Sequence, residues 1–352
     1  GYSAQSQTFS PEIDVTDWEP TTIQVPQSPL ITQYLFIGGH DFVQTTATYG
    51  NAADTALAKQ WHDFIGFTPD TSNSGDLGWV SVNHEMVVQN DKIGDGGGMT
   101  VFKVRRDPAT DSLIVVSQTL SDGRSGEYFA VDFANTVGET GMNCGGISAS
   151  NGRIWTAEEW WRGSNADLAD RDTGAFTIGT GTANYSAPNG FPGFDGQTIA
   201  KYENYNYMVE IDPREAVAIR KQYNWGRQPF EGGCVMPDNK TVYLGADNTP
   251  GFFTKFVADN AGDFTSGSTY VYKHDATGSK WVEIDNSNVN KMLNFSFEAV
   301  SLGATMFNRI EWVVEIGGKV YFTETGRDNP GSRWRGAAAA GAVYAPHHVQ
   351  RA

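Results

Sequence analysis

The centre of the chain holds the stretch that decides the fold: residues 142–146 read Met-Asn-Cys-Gly-Gly, and residues 153–160 read Arg-Ile-Trp-Thr-Ala-Glu-Glu-Trp. The second segment is an apolar and aromatic run, typical of a strand, that ends in the adjacent carboxylates Glu158 and Glu159. A thiolate and carboxylates together are the ligands of a mixed metal site, because oxygen suits calcium and sulfur suits a transition metal. The glycines beside Cys144 are expected to let the backbone crowd a ligand.

The same strand pattern, an aromatic or valine-rich run with an acidic or amide end, recurs along the chain. It occurs at residues 79–85, 154–159, 242–247 and 320–324. Strand pairs around polar turns are predicted after these runs, at residues 102–115, 209–219 and 270–282. A repeated strand-and-hairpin unit is typical of a β-propeller, although a β-sandwich is also compatible with the pattern.

Helical periodicity is nearly absent. The best candidate for a helix is the segment 53–65, and a turn is predicted around residues 165–170. Residues 164–196 are rich in Gly, Thr, Asn and Pro, which indicates a long insertion. We therefore predict an all-β chain, and favour a β-propeller over a β-sandwich, with long loop insertions and one or two short helices, in which residues 1–352 form a single domain.

Composition limits the possible partners. The 25 basic and 41 acidic residues give a formal net charge of −16, which argues against nucleic acid and anionic membranes as partners. No apolar run approaches the roughly 18 residues of a transmembrane helix. Few lysines and many Asn, Thr and Gly residues favour an exported protein. The chain begins Gly1-Tyr2-Ser3 and contains no signal peptide, so it reads as a mature or trimmed product.

Polar residues lie at five predicted strand ends. In a propeller such segments converge at one mouth of the central channel. Carboxylates that converge without cations repel one another and share protons, so a metal cluster is the simplest interpretation. The segments are residues 83–85, Cys144 with Glu158 and Glu159, residues 226–233, residues 245–248 and residues 308–312.

Each candidate also has a purely structural interpretation. His84 is compatible with a hydrogen-bonded structural role. Glu158 and Glu159 are adjacent in a strand, so at most one of them points into the channel unless the strand has ended. Cys144 and Cys234 would lose their thiolates if they formed a disulfide. Arg309 and Glu311 would be a plain ion pair on one strand face.

These residues resemble the PhoX-type secreted alkaline phosphatases and their relatives of unknown function, six-bladed β-propellers with an iron and calcium cluster. The resemblance covers most of the chain and depends on the order of its motifs. The matching segments are residues 82–85 (Val-Asn-His-Glu), 143–146 (Asn-Cys-Gly-Gly), 156–159 (Thr-Ala-Glu-Glu), 243–257 (beginning Tyr-Leu-Gly-Ala-Asp) and 309–312 (Arg-Ile-Glu-Trp).

The resemblance implies a role for each matching residue. Cys144 would be an iron ligand, and Glu231 and Glu311 would be carboxylate ligands. Arg309 would bind phosphate oxygens and, with Glu311, form the catalytic pair. The remaining metal ligands, for the cluster or its calcium ions, would be Glu85, Glu158 or Glu159, and Asp247.

The sequence also departs from the family pattern. Phe230 stands where the family usually has a histidine, Ala246 replaces an aspartate, Gly251 replaces a glutamate, and Ile310 replaces a proline. The first hypothesis is therefore a secreted, metal-dependent phosphoric-ester hydrolase that acts on small organic monoesters with calcium and iron. The second is a non-catalytic exported propeller, a binding or surface-assembly module that retains calcium for stability. A third is the hydrolysis of a lactone or a phosphodiester on the same scaffold.

Overall fold

The computed structural model describes residues 32–179 and 191–326, and it adds the backbone of one strand at Val343–Tyr344. Within these ranges the chain is dominated by β-strands, and two short α-helices are present. The predicted all-β class is therefore confirmed. None of the described helices is long and apolar enough to cross a membrane.

The first part of the chain forms a seven-stranded sheet, sheet I. Its strand order is β2-β1-β9-β5-β4-β3, with β6 paired to β5, and the short strands β7 and β8 pair separately. Among the described strands of this sheet, β1 and β9 pair in parallel and the other pairs are antiparallel. The strands are β1 Phe42–Gln44, β2 Thr55–Leu57, β3 His62–Pro69, β4 Gly78–His84, β5 Met99–Arg106, β6 Leu113–Val116, β7 Gln118–Thr119, β8 Ser125–Gly126 and β9 Tyr128–Ala130.

The next part forms a four-stranded sheet, sheet II, in the order β10-β11-β14-β15, and a small two-stranded sheet of β12 and β13. The strands are β10 Asn143–Ser148, β11 Ile154–Glu158, β12 Ala175–Thr177, β13 Thr198–Ala200, β14 Met208–Asp212 and β15 Val217–Lys221. Short 3₁₀ helices lie at Asn165–Asp167, Asp170–Asp172, Lys201–Asn204 and Tyr223–Trp225. The first two of them confirm the turn predicted near residue 165.

The last part forms sheet III, a five-stranded antiparallel meander from β16 to β20, and sheet IV, which consists of β21, β22 and β23. The two α-helices connect these sheets. The elements are β16 Phe230–Val235, β17 Thr241–Ala246, β18 Thr254–Asn260, β19 Asp263–Asp275, β20 Gly278–Ile284, α1 Val289–Leu293, α2 Phe295–Ser301, β21 Ile310–Ile316, β22 Lys319–Glu324 and β23 Val343–Tyr344.

Successive sheets pack face to face through separate apolar clusters. One cluster joins sheets I and II and includes Phe64 and Ile154. A second joins sheets II and III and includes Trp155 and Leu244. A third joins sheets III and IV and includes Val313. Because each fully buried side chain of this size contributes about 1.5–3 kcal/mol, these faces fix the sheets relative to one another.

Four strands, β3, β10, β16 and β21, each form the edge of their own sheet and lie beside one another in that order. Glycines allow this close approach. A Cβ atom on Gly145 would lie 1.7 Å from the carbonyl oxygen of Glu231, and one on Gly232 would lie 2.6 Å from that of Glu311. The expectation that the glycine beside Cys144 crowds a ligand is thus corrected: Gly145 crowds the neighbouring strand.

The predicted hairpins at residues 102–115, 209–219 and 270–282 are confirmed as the pairs β5–β6, β14–β15 and β19–β20. The helix predicted at 53–65 is wrong, because this segment contains β2 and the start of β3. In β3 the buried side chains alternate, as Phe64 and Thr68 do, and the strand pairs with β4. Tertiary pairing here overrides a weak helical pattern.

Candidate metal centre

The four edge strands share one irregularity that aims a side chain. Each strand has a register shift just after its first residue, and such β-bulges re-aim side chains. The second residue of the strand carries a carboxyl or thiol group in all four cases. The shifts lie between His62 and Ile65, Asn143 and Gly146, Phe230 and Gly233, and Ile310 and Val313, and the second residues are Asp63, Cys144, Glu231 and Glu311. We call these four residues the bulge row.

A second row follows the neighbouring strand of each sheet, one residue beyond the strand's end. The backbone N–H of each residue in this row donates to the carbonyl oxygen of the residue that precedes the edge strand. The four hydrogen bonds are Glu85 to Trp61 (2.9 Å), Glu159 to Met142 (3.1 Å), Asp247 to Pro229 (2.9 Å) and Thr325 to Arg309 (3.0 Å). We call Glu85, Glu159, Asp247 and Thr325 the strand-end row, and the two rows together place acidic groups from four sheets at one end of the edge strands.

Cys144, Glu159 and Glu231 form the most compact group in the two rows. One ligand atom from each, the Sγ of Cys144 and one carboxylate oxygen of each glutamate, lies within 4.8 Å of the other two. Cys144 and Glu231 are buried, and Glu159 is partly buried. A thiol and two carboxylates at this spacing match the donor set of a single cation.

Electrostatics support the same interpretation. Burial and the nearby Glu231 and Glu159 carboxylates raise the pKa of the Cys144 thiol well above its usual value. Burial, a hydrogen bond with Asp247 and repulsion from Glu231 raise the pKa of Glu159 to about 9. Burial is also the main cause that raises the pKa of Glu231 to about 8. Three acids that hold their protons in the absence of a cation are suited to exchanging them for one, so the residues fit a metal ion.

Arg309 lies beside this group and joins two neighbouring carboxylates, Asp247 of the strand-end row and Glu311 of the bulge row. Its Nε and Nη2 donate to Oδ1 and Oδ2 of Asp247 at 2.7 and 2.9 Å, and Nη2 also donates to Oε1 of Glu311 at 2.9 Å. These bonds raise the pKa of the guanidinium, with Asp247 as the largest cause. The side chain of Arg309 is 40% exposed, so it remains accessible to a ligand from solvent.

Asp63 is the site residue that sequence reasoning missed. Burial, followed by a hydrogen bond with Asp63 and repulsion from its charge, raises the pKa of Glu85 to about 7. Asp63 also repels Glu231. It therefore connects Glu85 to the group at Cys144. His84, which precedes Glu85, is buried and shares a hydrogen bond with Thr100 at 2.8 Å, as the structural interpretation expects.

Glu158 lies apart from the cluster. It pairs directly with Asn143 across strands β10 and β11. Because adjacent residues of a strand point to opposite sides, the side chain of Glu158 faces away from the cluster and that of the next residue, Glu159, faces it. The Glu158 carboxylate receives hydrogen bonds from Lys221 Nζ and Thr140 Oγ1, both at 2.8 Å, and both side chains of the ion pair are 0% exposed. Of the two adjacent glutamates, the structure brings only Glu159 to the Cys144 group.

The two cysteines do not form a disulfide: Cys144 and Cys234 are both free and buried. Cys234 packs instead in the apolar cluster between sheets III and IV. Phe230 and Ala246, at positions where a ligand is usual in the resembling family, are buried apolar residues. The candidate centre therefore has fewer donors than the family pattern predicts.

Comparison with known proteins identifies the family of the chain. The sequence profile described as "Alkaline phosphatase PhoX" matches residues 33–347. The chain belongs to the PhoX alkaline phosphatase family. Among curated proteins, none matches the chain.

A solved structure, Pseudomonas fluorescens PhoX in complex with vanadate, a transition state analogue, is similar to this PhoX family member, with a TM-score of 0.52 and 18% sequence identity. The match covers 77% of this chain and 59% of that one, so the chain spans about three fifths of the length of that protein. At this identity the likeness supports a shared fold and no residue-level role.

Proposed function

We propose that this protein is a metal-dependent phosphatase that releases phosphate from small organic phosphate monoesters. The observation that carries the proposal is the convergence of Cys144, Glu159 and Glu231 at one end of the edge strands, with the Arg309 guanidinium beside them. Membership of the alkaline phosphatase family supports the reaction class.

The cation would be held first by Cys144, Glu159 and Glu231. Glu85, Asp63, Asp247 and Glu311 lie around them and would hold further cations. Carboxylate oxygens favour calcium, and the Cys144 sulfur favours iron. When bound, such cations supply Lewis-acid polarisation of phosphoryl oxygens and activation of water.

Arg309 would bind the phosphate group of the substrate. Nε and Nη2 are held by Asp247 and Glu311, which leaves the two N–H groups of Nη1 to donate to phosphate oxygens. Glu311 would act with Arg309 by holding the guanidinium in place. Because phosphoryl transfer depends on positioning and charge stabilisation, a fixed guanidinium at 40% exposure is suited to this role.

Three wider features belong to the same proposal. The face-to-face packing of sheets I to IV supports a single β-propeller domain, and we propose closure into six blades. We also propose that the protein is exported, to the periplasm, the cell surface or the medium. Its partners would be small phosphorylated molecules, since a net charge of −16 disfavours nucleic acid.

The proposal is tested by a matched pair of cysteine variants, with metals and phosphate release assayed on the same samples. We expect Cys144→Ser to lose iron and activity and to keep its fold, because a serine hydroxyl stays protonated and cannot replace a thiolate. Cys234→Ser serves as the control, since Cys234 is also a buried free cysteine but packs in an apolar cluster. Unchanged iron and activity in Cys144→Ser would remove the basis of the proposal.

Two observations favour the second candidate, a non-catalytic exported propeller that keeps calcium for stability. Asp247 and Glu311 already neutralise Arg309, and Phe230 and Ala246 contribute no donor to the centre. Protein fully loaded with calcium that hydrolyses no phosphate ester would favour this candidate over the phosphatase.

A further inference from the structure

Two tryptophans, Trp160 and Trp161, directly follow the site residue Glu159 and are exposed at 41% and 46%. We call them the indole pair. Consecutive Cα atoms are about 3.8 Å apart, so the Cα atoms of both tryptophans lie within about 8 Å of the Cα atom of Glu159. Two adjacent exposed indoles form a contiguous apolar surface beside a polar site, which is the kind of patch that marks ligand binding.

Each indole is backed by a buried guanidinium. The guanidinium carbon of Arg162 lies 3.5 Å from the ring centroid of Trp160, and that of Arg227 lies 4.1 Å from the ring centroid of Trp161. Both arginines are buried. Cation–π contacts of this kind hold a ring by one face and leave the other face free to stack.

The supporting shell is itself fixed. Arg227 donates from Nε to the carbonyl oxygen of Tyr205 at 3.0 Å and from Nη2 to that of Tyr202 at 3.1 Å. Asn206, which is fully buried, donates from Nδ2 to the carbonyl oxygen of Glu159 at 3.1 Å and accepts from the backbone N–H of Arg162 at 3.3 Å. Hydrogen bonds therefore hold the backbone on both sides of the indole pair, so the two side chains lose little conformational freedom when a ligand binds.

We infer that the indole pair stacks against the alcohol part of the substrate and selects phosphate monoesters of planar aromatic alcohols. The inference rests on the proposed phosphatase function and deepens it by naming the substrate class. The phosphate would lie at Arg309 and the cation site, and the aromatic ring would lie on Trp160 and Trp161. An alkyl alcohol has no π-face to stack and gains less from the same surface.

The test compares kcat/KM for phenyl phosphate and glycerol phosphate in the metal-loaded protein. A ring-on-ring contact changes binding roughly 2–13-fold, so we expect Trp160→Ala and Trp161→Ala each to lower the phenyl-to-glycerol ratio about fivefold. Trp160→Phe, which keeps an aromatic face, should restore most of the ratio. Equal changes on both substrates, or no change on either, would overturn the inference while leaving the phosphatase intact.

Phe42→Ala is the matched control. Phe42 is also a large exposed aromatic residue, but it lies on β1, four strands from β3 in sheet I. At about 4.8 Å per strand this places it roughly 19 Å from the edge strand that carries Asp63. Its removal should leave the ratio unchanged.

A binding measurement separates this inference from the proposed function. Calorimetric titration with phenylphosphonate and methylphosphonate, which are not hydrolysed, needs no turnover. Preference for phenylphosphonate that disappears in Trp160→Ala supports the indole pair even if wild-type protein hydrolyses no ester. Equal affinity for the two phosphonates in wild-type protein contradicts it.

Discussion

The adjacent residues Glu158 and Glu159 give a sharp test of the site, because the structure assigns them opposite roles. Glu158→Gln would leave Lys221 buried without its counter-ion, and both side chains of this pair are 0% exposed. Removal of one partner from a buried ion pair costs about 3–5 kcal/mol. Gln cannot replace the carboxylate fully, because Thr140 Oγ1 and the backbone N–H of Tyr207 also donate to the two oxygens of Glu158 and an amide has only one oxygen.

Glu159→Gln should behave in the opposite way. The pKa of Glu159 is raised to about 9, so its carboxyl holds a proton near neutral pH in the cation-free protein. A neutral amide of the same shape should then change the free energy of unfolding by less than about 0.5 kcal/mol. Cation affinity should fall at least about tenfold, because a carboxylate ligand is lost.

Urea unfolding of the cation-free proteins and metal titration of the folded ones measure both effects. With a slope of about 3 kcal/mol per molar urea, Glu158→Gln should lower the midpoint by roughly 1 M. Lys221→Met is the companion variant. The double variant Glu158→Gln/Lys221→Met should lose less free energy of unfolding than the two single variants lose in total, because the two residues form one ion pair. The reasoning is refuted if Glu158→Gln loses the cation at unchanged stability while Glu159→Gln keeps it.

Two further predictions follow from single residues. Arg309→Lys should lower kcat/KM on a chromogenic phosphate monoester about 100-fold or more at unchanged metal content, because an ammonium group cannot bind Asp247, Glu311 and a phosphate at once as the planar guanidinium does. Arg106→Lys, on the remote hairpin of β5, is the control. A fully active Arg309→Lys enzyme would remove the phosphate-binding assignment. Burial, the charge of Glu139 and a hydrogen bond with Asp95 raise the pKa of Asp172 to about 7, so the folded state keeps a proton that the unfolded chain releases, and stability should fall as pH rises from about 4 to about 7. Asp172→Asn should remove about 4 kcal/mol of this pH dependence in urea unfolding at a series of pH values, because each pKa unit corresponds to about 1.4 kcal/mol. A slope equal to that of wild type would contradict the assignment.

The sequence predicted much of the site because its repeat is visible in the strands. The runs that end at Glu85, Glu159 and Asp247 mark three positions of the strand-end row. The segments that contain Cys144, Glu231 and Glu311 were predicted as polar strand ends, and the resemblance to the PhoX family implied that these three residues are ligands. The structure brings these residues to one end of neighbouring edge strands, where a cation site is proposed.

The features of the site that could not be predicted from the sequence depend on the register of the strands. Asp63 lies in a segment whose alanines and leucine imitate a helix, and only the pairing of β3 with β4 shows that it occupies the position of Cys144. Whether Glu158 or Glu159 faces the cluster depends on the bulge after Asn143, which shifts the register of β10 against β11. Bulges of this kind have no strong sequence signal. Three of the four edge strands are preceded by a residue with a positive φ, but these residues are Trp61, Met142 and Arg309, so no glycine marks the position in the sequence.

The central claim is that cations held at Cys144, Glu159 and Glu231 support hydrolysis of phosphate monoesters. Phosphate release from a monoester by metal-loaded protein, measured before chelation, after chelation and after calcium and iron are added back, tests it most directly. We predict activity that disappears with the chelator and returns with the cations. Metal-loaded protein that releases no phosphate, or chelated protein that releases it at the same rate, would contradict the claim.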